Sequence, residues 1–359
     1  MTASTAGSTA TPLLEARAVS KEFPAGGTSL TGRATEVLHA VDRVDLEVFP
    51  GETVGLVGET GCGKSTLARC LARLYDVTAG EVWFDGRDVT HLSRREMRPL
   101  RRDIQVIFQD PYGSLNPRRR VGSIIGDAFA IHDLEKGAAR KARVQELMEL
   151  VGLNPEHYNR FPADFSGGQR QRIGVARALA LRPRMIICDE PVSALDVSIQ
   201  AQVLNLLIDL QDELGLTYLF ITHDLSVVRH VSNRIAVMYL GRVVEQGTVE
   251  DIFDGARHPY TKALLSALPT PDPDVADSRE HVVLSGDLPS AVDPPSGCHF
   301  HPRCPRARAD CHEQQPPLEP VDGDPVDHTT ACWHPLAHGE SLTSAVPGLG
   351  IPAPEEGEP

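Results

Sequence analysis

Apolar and polar residues alternate in short runs between about 13 and 50, as in "VDRVDLEVF". That period of two predicts half-buried strands of an antiparallel sheet. From residue 53 the pattern changes. "TVGLVG" is a nearly uniform apolar strand, glycines follow, and "KSTLARCLARLY" has the spacing of a helix. A strand, a Gly-rich turn and a helix form the opening unit of a parallel α/β sheet. "RMIICDE" (184–190) and "LTYLFITHD" (216–224) are two further uniform apolar strands, joined by the helical spacing of 201–215. Residues 98–180 read as mostly helical, an insertion in that sheet. "NRIAVMYLGRVVEQG" (233–247) predicts two strands around a tight turn at Gly241. "PTPDPDVADS" after about 270 reads as a linker. Residues 1–12 and 336–359 are rich in Pro, Gly, Ser and acid and are expected to be disordered tails.

Composition narrows the function classes. The net charge of -14 over 359 residues argues against a nucleic-acid-binding surface. The first residues carry neither a basic nor an apolar leader region, so no secretory signal is expected. No apolar run approaches the roughly 18 residues of a membrane span. The expected setting is the cytoplasm, where thiols stay reduced. Yet four of the seven cysteines fall between Cys298 and Cys332.

The glycine turn carries the first chemistry. "GETGCGKST" fits G-x-x-x-x-G-K-[ST] at Gly58, Gly63, Lys64 and Ser65, with Gly61 and Thr66 in the same loop. Glycines let backbone N–H groups point at a phosphate, and the following helix adds its positive end. Lys64 is placed for β- and γ-phosphates and the Ser65 hydroxyl for Mg²⁺, which alone does not separate a kinase, a GTPase and a motor. The "IICDE" strand ends in Asp189 and Glu190, carrying both carboxylates to the sheet edge where the phosphates lie. Asp189 then serves the Mg²⁺ side. Glu190 is placed to polarise water, which points to hydrolysis. "FSGGQRQR" sets Ser166, Gly167, Gly168 and Gln169 at the start of another helix, a second anion cradle. One γ-phosphate needs one cradle, so the second is expected to serve a facing chain.

With that motif the chain resembles the nucleotide-binding subunits of ABC transporters, for which "FSGGQRQR" matches the signature. The resemblance covers about 13–270 and implies a P-loop ATPase core with an N-terminal antiparallel β-subdomain and a helical subdomain. It implies roles for Gln109 of "VIFQDP" toward Mg²⁺ and water, Asp196 of "SALD" across the dimer interface and His223 of "ITHD" at the γ-phosphate. Phe23 falls where the family stacks an aromatic ring on adenine. Cys62 inside the P-loop is an oddity and a candidate for alkylation or oxidation. A repair ATPase would carry long coiled coils between P-loop and signature. Only about 100 residues separate Ser65 from Ser166, without sustained heptads. Translation members usually carry two cassettes, and a regulator without turnover would not need Glu190 and His223.

"FQDPYGSLNPR", "HPYTKALLSALP" and a C-terminal "CxFxxRCxxAxxxC…C" pattern resemble the oligopeptide/dipeptide importers, nearest to their F-type ATPase. That pattern runs through Cys298, Phe300, Arg303, Cys304, Ala307, Cys311 and Cys332 and marks 271–335 as the subfamily's C-terminal extension. The resemblance implies a partner ATPase (a heterodimer), two permease subunits, an external binding protein and a place on the cytoplasmic face of the membrane. Importers of nickel or other small solutes share these motifs. The spacing C-x₅-C-x₆-C-x₂₀-C is looser than the C-x₂-C pairs of zinc ribbons. It favours a [4Fe–4S] cluster on Cys298, Cys304, Cys311 and Cys332, with Zn²⁺ or a metal-free thiol packing as alternatives. His299, His301, His312, His328 and His334 lie near enough to be considered as substitutes. The cluster is expected to act as a structural staple that stands apart from the ATP chemistry.

Overall fold

The computed structural model describes residues 11–28, 34–110, 113–268, 284 and 286–342. Strands Leu14–Thr28 (β1) and Ala34–Val48 (β2) lead to Thr53–Val57 (β3) and helix Lys64–Leu71 (α1). Ala79–Phe84 (β4), Arg87–Asp88 (β5), helix Arg94–Leu100 (α2) and Ile104–Ile107 (β6) follow. Helices Val121–Ile131 (α3), Gly137–Leu150 (α4) and Gly167–Leu179 (α5) precede Met185–Asp189 (β7), Val197–Leu214 (α6) and Thr217–Ile221 (β8). Helix Leu225–Val231 (α7) then leads to Arg234–Tyr239 (β9) and Arg242–Thr248 (β10), and to helices Val249–Gly255 (α8) and Pro259–Ser266 (α9). The two-residue strands Glu319–Pro320 (β11) and Thr329–Thr330 (β12) come last.

Two sheets result. One is antiparallel, in the order β2-β1-β4-β5. The other runs β11-β12-β10-β9-β3-β8-β7-β6, with β9, β3, β8, β7 and β6 parallel. The uniform apolar strands are buried on both faces, as a parallel sheet requires. Tyr218 and Phe220 of β8 face one apolar layer, and Leu219 and Ile221 face the other. Each such side chain contributes about 2 kcal/mol through burial.

The expected insertion needs one change. Ile104–Ile107 is a strand of the core sheet, paired parallel with Met185–Cys188. Four residues are too few to show a period. The helical subdomain proper is α3, α4 and α5, which share a buried layer around Ile125, Val144, Met148 and Ile173.

The C-terminal extension packs into the core of the parallel sheet rather than standing off as an appendage. Thr329 and Thr330 pair with Gln246 and Glu245 on the edge of β10. Phe300 is fully buried against Tyr239 and Tyr260, with ring centroids 5.2 and 5.4 Å away. The Glu245 carboxylate, wholly buried, accepts the amides of Arg257 and His258 and faces His328 Nε2 at 3.0 Å. Asp324 completes the network, accepting from Arg257 Nε at 2.7 Å and lying 3.0 Å from His328 Nδ1. Leu336 and Leu342, placed in the expected C-terminal tail, are buried with Ala263. The rest of that tail (343–359), residues 1–10 and most of the expected linker lie outside the described residues. Among the described residues no helix is long and apolar enough to cross a membrane.

Candidate functional site

The turn between β3 and α1 wraps a cavity of about 240 Å³ lined by Thr60–Thr66, Gln109, Glu190, Leu38, His39, Leu240, Gly241 and Ala291. Glycine is required at Gly63, whose φ is +108° and where a Cβ would meet the Ala40 carbonyl at 2.1 Å. Lys64 is buried and donates to the carbonyls of Gly58 (2.7 Å) and Glu59 (2.8 Å). An ammonium parked on two carbonyls is ready to exchange them for phosphate oxygens.

β7 and β8 deliver the carboxylates and the histidine as expected. The Ser65 hydroxyl donates to Asp189 Oδ1 at 2.6 Å. Those two oxygens are the hard donors that Mg²⁺ takes. Burial raises the Asp189 pKa, and the Ser65 hydrogen bond works against that rise. Glu190 receives Gln109 Nε2 at 2.7 Å and lies 3.3 Å from His223 Nδ1. Its φ of +47° is a strained backbone for a side chain with a Cβ, a cost that sites of chemistry commonly carry.

Other expected residues lie elsewhere. Ser166 caps α5, its hydroxyl accepting from the Gln169 amide while the Gln169 side chain accepts the Ser166 amide. Gly167 opens that helix, and Gly168 lies so close to α6 that a Cβ would meet Ile199 Cγ2 at 2.4 Å. Asp196 is the N-cap residue of α6. The signature and Asp196 therefore form one surface, and none of its residues lines the phosphate cavity of the same chain. Phe23 pairs across the sheet with Leu38, which does line the cavity, while its own ring meets the edge of Tyr75 at 5.6 Å. Cys62 is almost wholly buried and its thiol pKa is raised by burial, so the expected reactivity has no structural basis.

A second cavity, of about 510 Å³, separates β6 from α3, lined in part by Gln105, Phe108, Asn116, Asp127, Ile131 and Arg177. Phe108, Ile131 and Leu74 along it are exposed apolar side chains.

All four clustered thiols line one small cavity of about 20 Å³, together with His258, Phe300, His301, Trp333 and His334. Burial pushes Cys304 and Cys332 up to about 12 and raises Cys298 and Cys311, so without a cation these thiols hold their protons. The ligand atoms that come within 4.8 Å of one another as a group are those of Asp310, Cys311 and His334. No three of the four sulfurs do so, whereas Zn–S bonds of about 2.3 Å bring tetrahedral thiolates to roughly 3.8 Å. His299 turns away, its Nδ1 3.2 Å from the Leu240 carbonyl, and His328 belongs to the Glu245 network. The His301 ring lies 4.0 Å from the His312 ring.

The thiol region does not stand apart from the phosphate site. Ala291 lines the phosphate cavity, and its carbonyl accepts the His39 amide at 2.9 Å. Arg303, one residue before Cys304, reaches Glu59 of the P-loop at 2.9 Å. Sequence reasoning missed Glu59, Tyr260, Ala291 and Arg303 as site residues. Glu59, Tyr260 and Arg303 each fall inside a sequence motif, where they read only as family or subfamily marks, and Ala291 falls in none.

Comparison with known proteins agrees with this geometry. A family model described as "ABC transporter" matches residues 41–193. One described as "Oligopeptide/dipeptide transporter, C-terminal region" matches 244–311. The oligopeptide transport ATP-binding protein AppF of Bacillus subtilis is 50% identical over 321 residues, 89% of this chain and 96% of that protein. The dipeptide transport ATP-binding protein DppF of Haemophilus influenzae is 48% identical over 325 residues, 90% of this chain and 97% of its own. The dimeric post-hydrolysis structure of the ATP-binding cassette MJ0796, bound to ADP and Pi, superposes with a TM-score of 0.59 at 30% identity. It covers 66% of this chain and 98% of that one.

Proposed function

The chain belongs to the oligopeptide/dipeptide group of ABC transporter ATP-binding proteins, and we propose that it drives import by closing on a second, related ATPase subunit around two ATP molecules. It is the ATP-hydrolysing subunit of a peptide importer. The observation that carries the catalytic reading is Glu190 held between Gln109 and His223, beside the Ser65–Asp189 pair.

In this reading Lys64, with the P-loop amides of Gly61, Gly63 and Thr66, binds the phosphates. Ser65, Asp189 and Gln109 serve Mg²⁺, and Glu190 orients the attacking water with His223 at the γ-phosphate. Phe23 supplies an apolar contact near the base. Ser166–Gln169 and Asp196 complete the site of the facing subunit, which explains why they lie outside the phosphate cavity of their own chain. ATP then acts as a bridging ligand. Its affinity differs between open and closed dimers, and that difference drives the motion. The groove between β6 and α3 takes a helix from one permease subunit, with Phe108 and Ile131 as its apolar rim, and the partner ATPase engages the other permease. The subunit thereby sits on the cytoplasmic face of the membrane, receiving peptide only indirectly from an external binding protein.

The four thiolates of Cys298, Cys304, Cys311 and Cys332 hold a [4Fe–4S] cluster, with zinc as the second reading. Its contribution is a cross-link that staples a Pro-rich segment too small to fold on its own. Iron, sulfide and zinc analysis of anaerobically purified protein tests this, and absence of iron overturns the cluster.

Co-purification with the membrane partners, followed by uptake of a peptide panel, tests the function. ATP-dependent peptide uptake supports it. Uptake of nickel or another solute in place of peptide moves the substrate and leaves the ATPase reading intact.

A further inference from the structure

Glu59 of the P-loop is held by its carbonyl, its amide and its carboxylate. Its carbonyl accepts Lys64 Nζ at 2.8 Å and the Cys62 amide at 3.3 Å, so the position of Glu59 sets where Lys64 rests. Its amide donates to the Tyr260 hydroxyl at 3.0 Å, and the Tyr260 ring is packed by Phe300 of the extension. Its carboxylate accepts Arg303 Nη1 on both oxygens, at 3.0 and 2.9 Å. The Arg303 side chain is 9% exposed and that of Glu59 26%, so water screens the pair only partly. Two of these three grips come from residues far along the chain, Tyr260 and Arg303, that do not themselves line the phosphate cavity.

We propose that Arg303 is a positioning residue for nucleotide binding. By fixing Glu59 it fixes the carbonyl on which Lys64 parks, and so holds the cradle at the spacing phosphate needs. The consequence is a mechanical link: whatever displaces the cysteine-bearing segment displaces the P-loop with it. This inference rests on the reading of Lys64 as a phosphate ligand.

The test uses the full-length chain assembled with its partner ATPase and permeases. Arg303→Met is expected to raise KM for ATP roughly tenfold, the scale of one charge-assisted hydrogen bond, with kcat within about twofold. Arg303→Lys, which keeps a cation for the same two oxygens, recovers part of the loss. Glu59→Gln, nearly isosteric and so expected to fold, raises KM by a similar factor. Arg303→Met added to it changes KM no further. An unchanged KM in Arg303→Met alongside a lowered melting temperature makes the pair structural only and overturns the proposal. Independent, multiplicative effects of the two substitutions overturn it too. Lys64→Ala, measured alongside, abolishes ATP binding. If it binds ATP normally, the phosphate reading itself fails, and that result is distinct from failure of the Arg303 link.

Discussion

The phosphate cavity and the thiol cavity lie in the same core and are built in opposite ways. The phosphate site is held ready by hydrogen bonds already made: Ser65 to Asp189, Gln109 to Glu190, Lys64 to two carbonyls. Each partner waits in the place its ligand will use. The thiol site is held by burial. Its four sulfurs share one small cavity with Arg306, burial raises their pKa values, and neighbouring thiols add to the rise at Cys304 and Cys332. The first is a site prepared by local sequence, and the second is a cluster of buried thiols. Arg303 joins them, so a change in the second is transmitted to the first.

The largest break in this comparison lies on the phosphate side. Glu190→Gln keeps the shape and removes the base, so steady-state phosphate release is expected to fall by about 10²- to 10⁴-fold. ATP still bridges the subunits, and gel filtration with ATP is expected to show a trapped dimer. Turnover at the wild-type rate would take Glu190 out of the mechanism.

The next break lies where the extension docks. Glu245 is wholly buried and accepts two amides and an imidazole. Glu245→Gln removes the charge that His328 faces and sets an amide N–H against backbone donors. A loss of roughly 3 kcal/mol is expected, the scale for breaking a buried charged network. Chemical denaturation measures it, and proteolysis of the extension reports the undocking.

The smallest effect is pH dependence, and two histidines give it opposite signs. Burial works to lower the His328 pKa, but Glu245, Asp251 and Asp324 outweigh it and raise it. His328 therefore stabilises the docked extension below the ordinary imidazole value, near 6.5. That contribution is lost as pH rises through its raised folded value. His258 is held down to about 3 by burial. Its contribution is complete above about pH 6.5 and declines as pH falls toward 3. Melting curves between about pH 5 and 8 are expected to bend downward at both ends. His328→Gln removes the alkaline bend and keeps the acidic one.

The phosphate side was legible because its signals are local. A glycine turn between an apolar strand and a helix specifies its own geometry, and a strand ending in Asp189 and Glu190 specifies where they point. The thiol side was legible only as a pattern of spacing. Spacing carries no information about what packs on Phe300 or what Arg303 reaches, because Glu59 lies more than 200 residues earlier in the chain. β6 escaped for another reason: four residues cannot display a period, and only pairing with β7 makes them a strand. Burial, not motif, decided Cys62.

The pairing of Thr330 with Glu245 also bears on how the molecule is made. During synthesis β10 emerges long before the strand that covers its edge. Until residue 330 leaves the ribosome, the ATPase sheet presents a row of unpaired amides and carbonyls, the kind of edge that recruits neighbouring chains. Pro320 in the outermost strand then closes the edge with a residue that cannot donate to a further strand. The cassette is thus complete only when its last quarter arrives, and a chain cut short before β12 carries every ATP motif on an open sheet.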